Sequence, residues 1–85
     1  MEGEEKEVGK ILHYYDKIGV AIVQVSDNIK KGDRISIRGK KTNFEQVVQS
    51  MQLDHIDIDE ATKGKEVGLK VDQPVREGDK VYKLL

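Results

Sequence analysis

Six basic side chains, Lys30, Lys31, Arg34, Arg38, Lys40 and Lys41, crowd the stretch Ile29–Lys41 against one acid, Asp33. Arginine can chelate a phosphate with its planar fork, and lysine adds a point charge, so this segment is a candidate for contacting a nucleic-acid backbone. Arg34 and Arg38 share one parity if the segment is extended, with Lys40 continuing it. No aromatic residue alternates with them, so base stacking is not indicated and the contact would be backbone-directed rather than sequence-reading. A solvated edge strand, protected from aggregation by its charges, accounts for the same pattern.

Other chemistry is weaker. His55, Asp57 and Asp59 alternate, but successive same-face side chains on a strand lie roughly 7 Å apart, too wide for three ligands of one metal ion without a bend. A solvated acidic loop is the preferred reading, and neither a metal nor another cofactor is expected. His13, beside Tyr14 and Tyr15, has no recognisable Ser or Cys partner and reads as a packed or edge histidine. A phosphate loop needs G-x-x-x-x-G-K-[ST]; around Gly39-Lys40 the first glycine falls on Arg34 and the last position on Lys41, so no nucleotide is expected. No Met-Lys-Met or Asp-Lys-Ala element marks a swinging-arm lysine. No spacing points to paired acid–base carboxylates, and the chain is not expected to be an enzyme.

The elements that position these residues are strands. Ile and Val number 18 against five Leu and two Ala, and β-branched side chains favour a pleated surface over a helix. Eighty-five residues make one domain, and a chain of this size buries only roughly 60–65% of its unfolded surface. Net charge is −1, so any nucleic-acid role would rest on local asymmetry. With no cysteine and no bilayer-length apolar run, neither a disulfide framework nor a membrane location is expected, and the cytoplasm is.

Residues 1–7 read as a flexible acidic tail and 8–85 as the domain. Val8–Tyr15 is a first strand with apolar residues on both parities, hence covered on both sides or bulged. Val20–Val25 is a buried run. Arg34–Arg38 turns Ile35 and Ile37 inward and Arg34, Ser36 and Arg38 outward. Phe44–Asp54 reads as one long strand, with an amphipathic helix over Phe44–Leu53 as the competing reading. A parity change after Leu53 places a bulge or bend near Asp54-His55. Glu66–Val71 turns Val67, Leu69 and Val71 inward, and Lys80–Leu84 closes the domain.

One heptapeptide recurs. Ile29-Lys30-Lys31-Gly32-Asp33-Arg34-Ile35 returns as Val75-Arg76-Glu77-Gly78-Asp79-Lys80-Val81. Gly32, Asp33, Gly78 and Asp79 are therefore structural turn residues, each glycine expected at positive φ. Six short strands punctuated in this way predict an all-β fold, a small closed or nearly closed six-stranded antiparallel β-barrel.

These Gly-Asp turns follow Val8-Gly9-Lys10-Ile11 and Val20-Ala21-Ile22-Val23, and are joined by Val47-Val48-Gln49-Ser50-Met51-Gln52 and Gly64-Lys65-Glu66-Val67-Gly68-Leu69. In that order they resemble the second domain of translational GTPases such as elongation factor Tu. The resemblance covers about Glu7 to Leu84 and fits best a stand-alone translation elongation factor-like protein. A related barrel is appended to some collagenase-like peptidases, so the fold alone does not fix a role. The resemblance implies the translation-factor domain II type of barrel without a GTPase domain. It further implies a non-catalytic module for RNA or the ribosome, with tRNA, ribosomal RNA or a translation-related protein as partner. The alternative is a protein-interaction or scaffolding module with no RNA role.

Overall fold

A computed structural model describes residues 4–85. Ten strands occur among them: β1 (Glu5–Tyr15), β2 (Val20–Val25), β3 (Ile29–Lys30), β4 (Arg34–Arg38), β5 (Asn43–Val47), β6 (Met51–Leu53), β7 (Ile56–Ile58), β8 (Glu60–Ala61), β9 (Glu66–Lys70) and β10 (Lys80–Leu84). Eight form one antiparallel sheet in the order β5-β4-β10-β1-β2-β9-β6-β7, and β3 pairs with β8 in a ladder of its own. The domain is all-β, and its described residues include no helix able to cross a membrane.

The expected six-stranded closed barrel is corrected by this topology. The sheet is not closed: β5 and β7 are its edges. β7 stops after three residues because the chain leaves for β8, where the Asp59 carbonyl accepts the Lys31 N–H (2.8 Å). A side chain ties the β5 edge to the end of β9 instead. Gln46, only 6% exposed, donates through Nε2 to the Lys70 carbonyl (2.9 Å) and accepts the Asp72 N–H at Oε1 (2.8 Å).

β1 is the spine, paired with β10 on one side and β2 on the other. Its pairing slips at Val8 and again at Leu12, and each extra residue reverses the parity that follows. The first slip lets Val8 and Ile11, of opposite sequence parity, both be buried. The strand starts at Glu5, where residues 5–7 pair with Leu84, Lys83 and Tyr82; residues 1–3 of the expected tail lie outside the described residues.

Ile11, Val23, Ile35, Ile37, Leu69 and Val81 are fully buried and meet in one core. Each contributes roughly 1.5–3 kcal/mol of transfer free energy. Ser36 keeps the alternation but is buried, because β4 lies between β10 and β5 and Ser36 is flanked by Tyr82 and Glu45. The expected long strand from Phe44 is two strands. Phe44, Gln46 and Val48 are buried while Val47 is exposed, and the break at 48–50 resets the parity so that Met51 is the next residue buried. Leu53 and Ile56 then pair across Asp54-His55, whose φ values of 53° and 65° make a two-residue hairpin turn in place of a bulge.

The two Gly-Asp turns have the same construction. The Asp33 N–H donates to the Lys30 carbonyl (3.0 Å), and the Lys30 N–H returns a bond to Asp33 Oδ2 (2.8 Å). Asp79 and Arg76 repeat the exchange at 3.1 and 2.9 Å. Gly32 and Gly78 hold φ of 94° and 92° at the third turn position, the geometry of a type II turn.

Candidate functional site

The six basic residues do not form one face. Arg34 Nε lies 3.5 Å from Glu45 Oε1. Arg38 pairs with Glu5 and stacks its guanidinium 4.1 Å from the Tyr82 ring centroid, and its buried Nε has no acceptor among the described residues. Lys30 and Lys31 sit at the first Gly-Asp turn, around an open hollow shared with Asp59 and Glu60. Lys40 and Lys41 occupy the turn at the far end of β4. The charges of β4 do not protect an edge either, since the strand is paired on both sides. They are partly answered by acids on neighbouring strands.

The histidines and the acidic alternation are likewise dispersed. His13 Nδ1 lies 3.2 Å from Glu77, and its ring meets Tyr15 edge-on at 4.5 Å. His55 sits in the β6–β7 turn, whereas Asp57 accepts a hydrogen bond from Gln52 Nε2 (3.0 Å). Among the described residues, no group of three or more His, Asp or Glu could hold a metal ion. One carboxyl is displaced: the hydrogen bond from Lys6 holds Asp27 below its ordinary range, helped by the Asn28 N–H.

The most site-like feature lies on the outer face of β1, β2, β9 and β6. The pairing aligns His13 with Ile22, Ile22 with Gly68, and Gly68 with Gln52. Gly68 has no side chain, so the middle of this row is low. A Cβ there would approach Val20 Cγ1 to 3.3 Å. The resulting cleft of about 300 Å³ is walled by Tyr15, Ile18, Val20 and Ile22 on one side and by Gln52, Asp54, His55 and Glu66 on the other. Tyr15 and Ile18 are 49% and 61% exposed and lie together on the cleft's apolar wall. Lys70 Nζ donates to the Ile18 carbonyl (3.2 Å) and anchors the β1–β2 turn at the cleft's rim. A glycine at an outward strand position was the available sign of this cleft, because glycine inside a strand often marks a close approach by another group.

Residues 4–80 match the peptidase family U32 C-terminal domain. An uncharacterized protease of Methanocaldococcus jannaschii is 46% identical over 79 residues, which are 92% of this chain and 19% of that protein. A collagenase of Porphyromonas gingivalis is 33% identical over 78 residues, 89% of this chain and 22% of that protein. The crystal structure of the C-terminal domain of a Geobacillus thermoleovorans protein assigned as a U32 peptidase superposes with a TM-score of 0.88. Its identity is 25%, and the match covers 94% of this chain and 93% of that one. The chain thus spans about a fifth of the length of the curated relatives it matches. These matches correct the expectation of a translation factor-like module with an RNA or ribosome role. The part of the resemblance that survives is the β domain appended to collagenase-like peptidases.

Proposed function

We propose that this chain, which belongs to the family of peptidase U32 C-terminal domains, is a non-catalytic accessory domain that holds polypeptide substrate for a U32-type peptidase. Family membership is the observation that carries the reading. The relatives named protease and collagenase are about five times longer than the matched segment, so most of each lies outside this domain. The exposed cleft over Gly68 supports the same reading, since an apolar, partly aromatic depression on a rigid sheet suits an extended chain better than it suits catalysis. The link that Gln46 makes from β5 to the end of β9 supports a nearly closed barrel as the rigid platform.

The test uses fluorescent gelatin and a short quenched peptide. The isolated chain is expected to bind gelatin and cleave neither substrate. In the longer Methanocaldococcus relative, deleting the matched segment is expected to raise KM for the polymer several-fold while leaving kcat for the short peptide unchanged. Unchanged KM for the polymer, or cleavage by the isolated chain, would overturn the proposal.

A further inference from the structure

From the cleft's distribution of charge, we infer that it takes an extended peptide carrying an aliphatic side chain next to an arginine or lysine. The inference rests on the accessory-domain reading above and adds the site and the class of sequence. The apolar wall and the low floor at Gly68 define a place for one aliphatic side chain. Asp54 and Glu66 line the same cleft, at the end of β6 and the start of β9. Both are exposed, and neither has a basic partner within ion-pair distance among the described residues. Two like charges flanking one depression repel each other, and a cation seated between them relieves that repulsion. At the rim, the Lys70 ammonium keeps its charge and is held toward the Ile18 carbonyl (3.2 Å). Within the cleft itself the lining carries two carboxylates, no lysine or arginine, and His55 beside Asp54, which leaves a place for an incoming cation. Complementarity of this kind sets partner choice and docking orientation more than raw affinity.

The probe is Ac-Gly-Val-Leu-Arg-Val-Gly-NH2, titrated into the 15N-labelled chain alongside its counterpart with citrulline in place of arginine. Shifts are expected at Tyr15, Ile18, Ile22 and Gly68, with at least tenfold weaker binding of the citrulline peptide. The double variant Asp54→Asn with Glu66→Gln should abolish that preference. Gly68→Val should remove binding of both peptides, its fold being verified from the same spectra. Equal affinity for the two peptides, shifts confined elsewhere, or self-association through this face would overturn the inference. The two readings fail separately. If gelatin binding survives Gly68→Val, the cleft assignment falls and substrate holding stands; if wild-type chain does not bind gelatin, substrate holding falls.

Discussion

Asp79 occupies the space that a side chain on Gly39 would need. A Cβ at Gly39 would lie 1.8 Å from Asp79 Oδ1 and 2.7 Å from its Cγ, far inside van der Waals contact. The second Gly-Asp turn is thereby locked against the β4–β5 turn, two segments forty residues apart. Asp79 cannot retreat freely, because it is 4% exposed and its Oδ2 accepts the Arg76 N–H.

Gly39→Ala should therefore destabilise the domain by about 2–3 kcal/mol, the range of overpacking in a site that cannot relax. In an Asp79→Ala background the same change should cost much less, because the clashing carboxylate is gone. Urea denaturation of the four species gives the coupling directly. Additive effects would show that the two turns are independent.

Gly32 and Gly78 differ from Gly39 in kind. Nothing lies within 4 Å of a Cβ at either position, so only their positive φ opposes a side chain. Gly32→Ala and Gly78→Ala should each cost about 1 kcal/mol, and asparagine at the same positions less. Thermal melts should rank Gly39→Ala as the most damaging of the three alanine variants.

Gln46→Leu keeps much of the side-chain volume but removes a donor and an acceptor. The Lys70 carbonyl and Asp72 N–H would lose the partner that occupies them now. A loss of about 2–3 kcal/mol is expected, since each buried unpaired group costs roughly 1–3 kcal/mol and some solvent reaches Asp72. Hydrogen exchange should speed up first at Asp72, whose N–H is accepted by Gln46 Oε1.

The Asp27 carboxyl should titrate below the ordinary carboxylate range, the hydrogen bond from Lys6 being the main cause and the Asn28 N–H (2.8 Å) the next. A lowered folded-state pKa means that the ionised form stabilises the fold above the unfolded-state pKa. That contribution disappears as pH falls through the folded-state value. Asp27→Asn should flatten the acid limb of stability and leave the slope above pH of about 5 unchanged. Carboxyl-carbon NMR titration of wild type measures the midpoint, and raising salt should move it upward.

The all-β class and the turn framework could be read from local pattern. Two heptapeptides with glycine and aspartate at matched positions specify two turns, since both requirements, positive φ and a short acceptor reaching back three residues, lie within four residues of chain. The strand boundaries between Phe44 and Ile58 could not be read in the same way. Buried Gln46 looks polar and exposed Val47 looks apolar, so the alternation there points to the wrong face. The reason lies 24 residues away, at the Lys70 carbonyl.

Charge was the least legible property. Arg34 and Arg38 look unopposed within Ile29–Lys41, yet the acids that pair with them, Glu45 and Glu5, come from β5 and β1. An ion pair is short-ranged in space and indifferent to sequence separation, so only the folded sheet shows which charges remain free. The cleft follows the same rule. Sequence alone determined that Gly68 sits in a strand between inward-facing Val67 and Leu69. Tertiary structure decided that Ile22 and Gln52 flank it, and that Asp54 and Glu66 line the same cleft, because cross-strand neighbours are chosen by register.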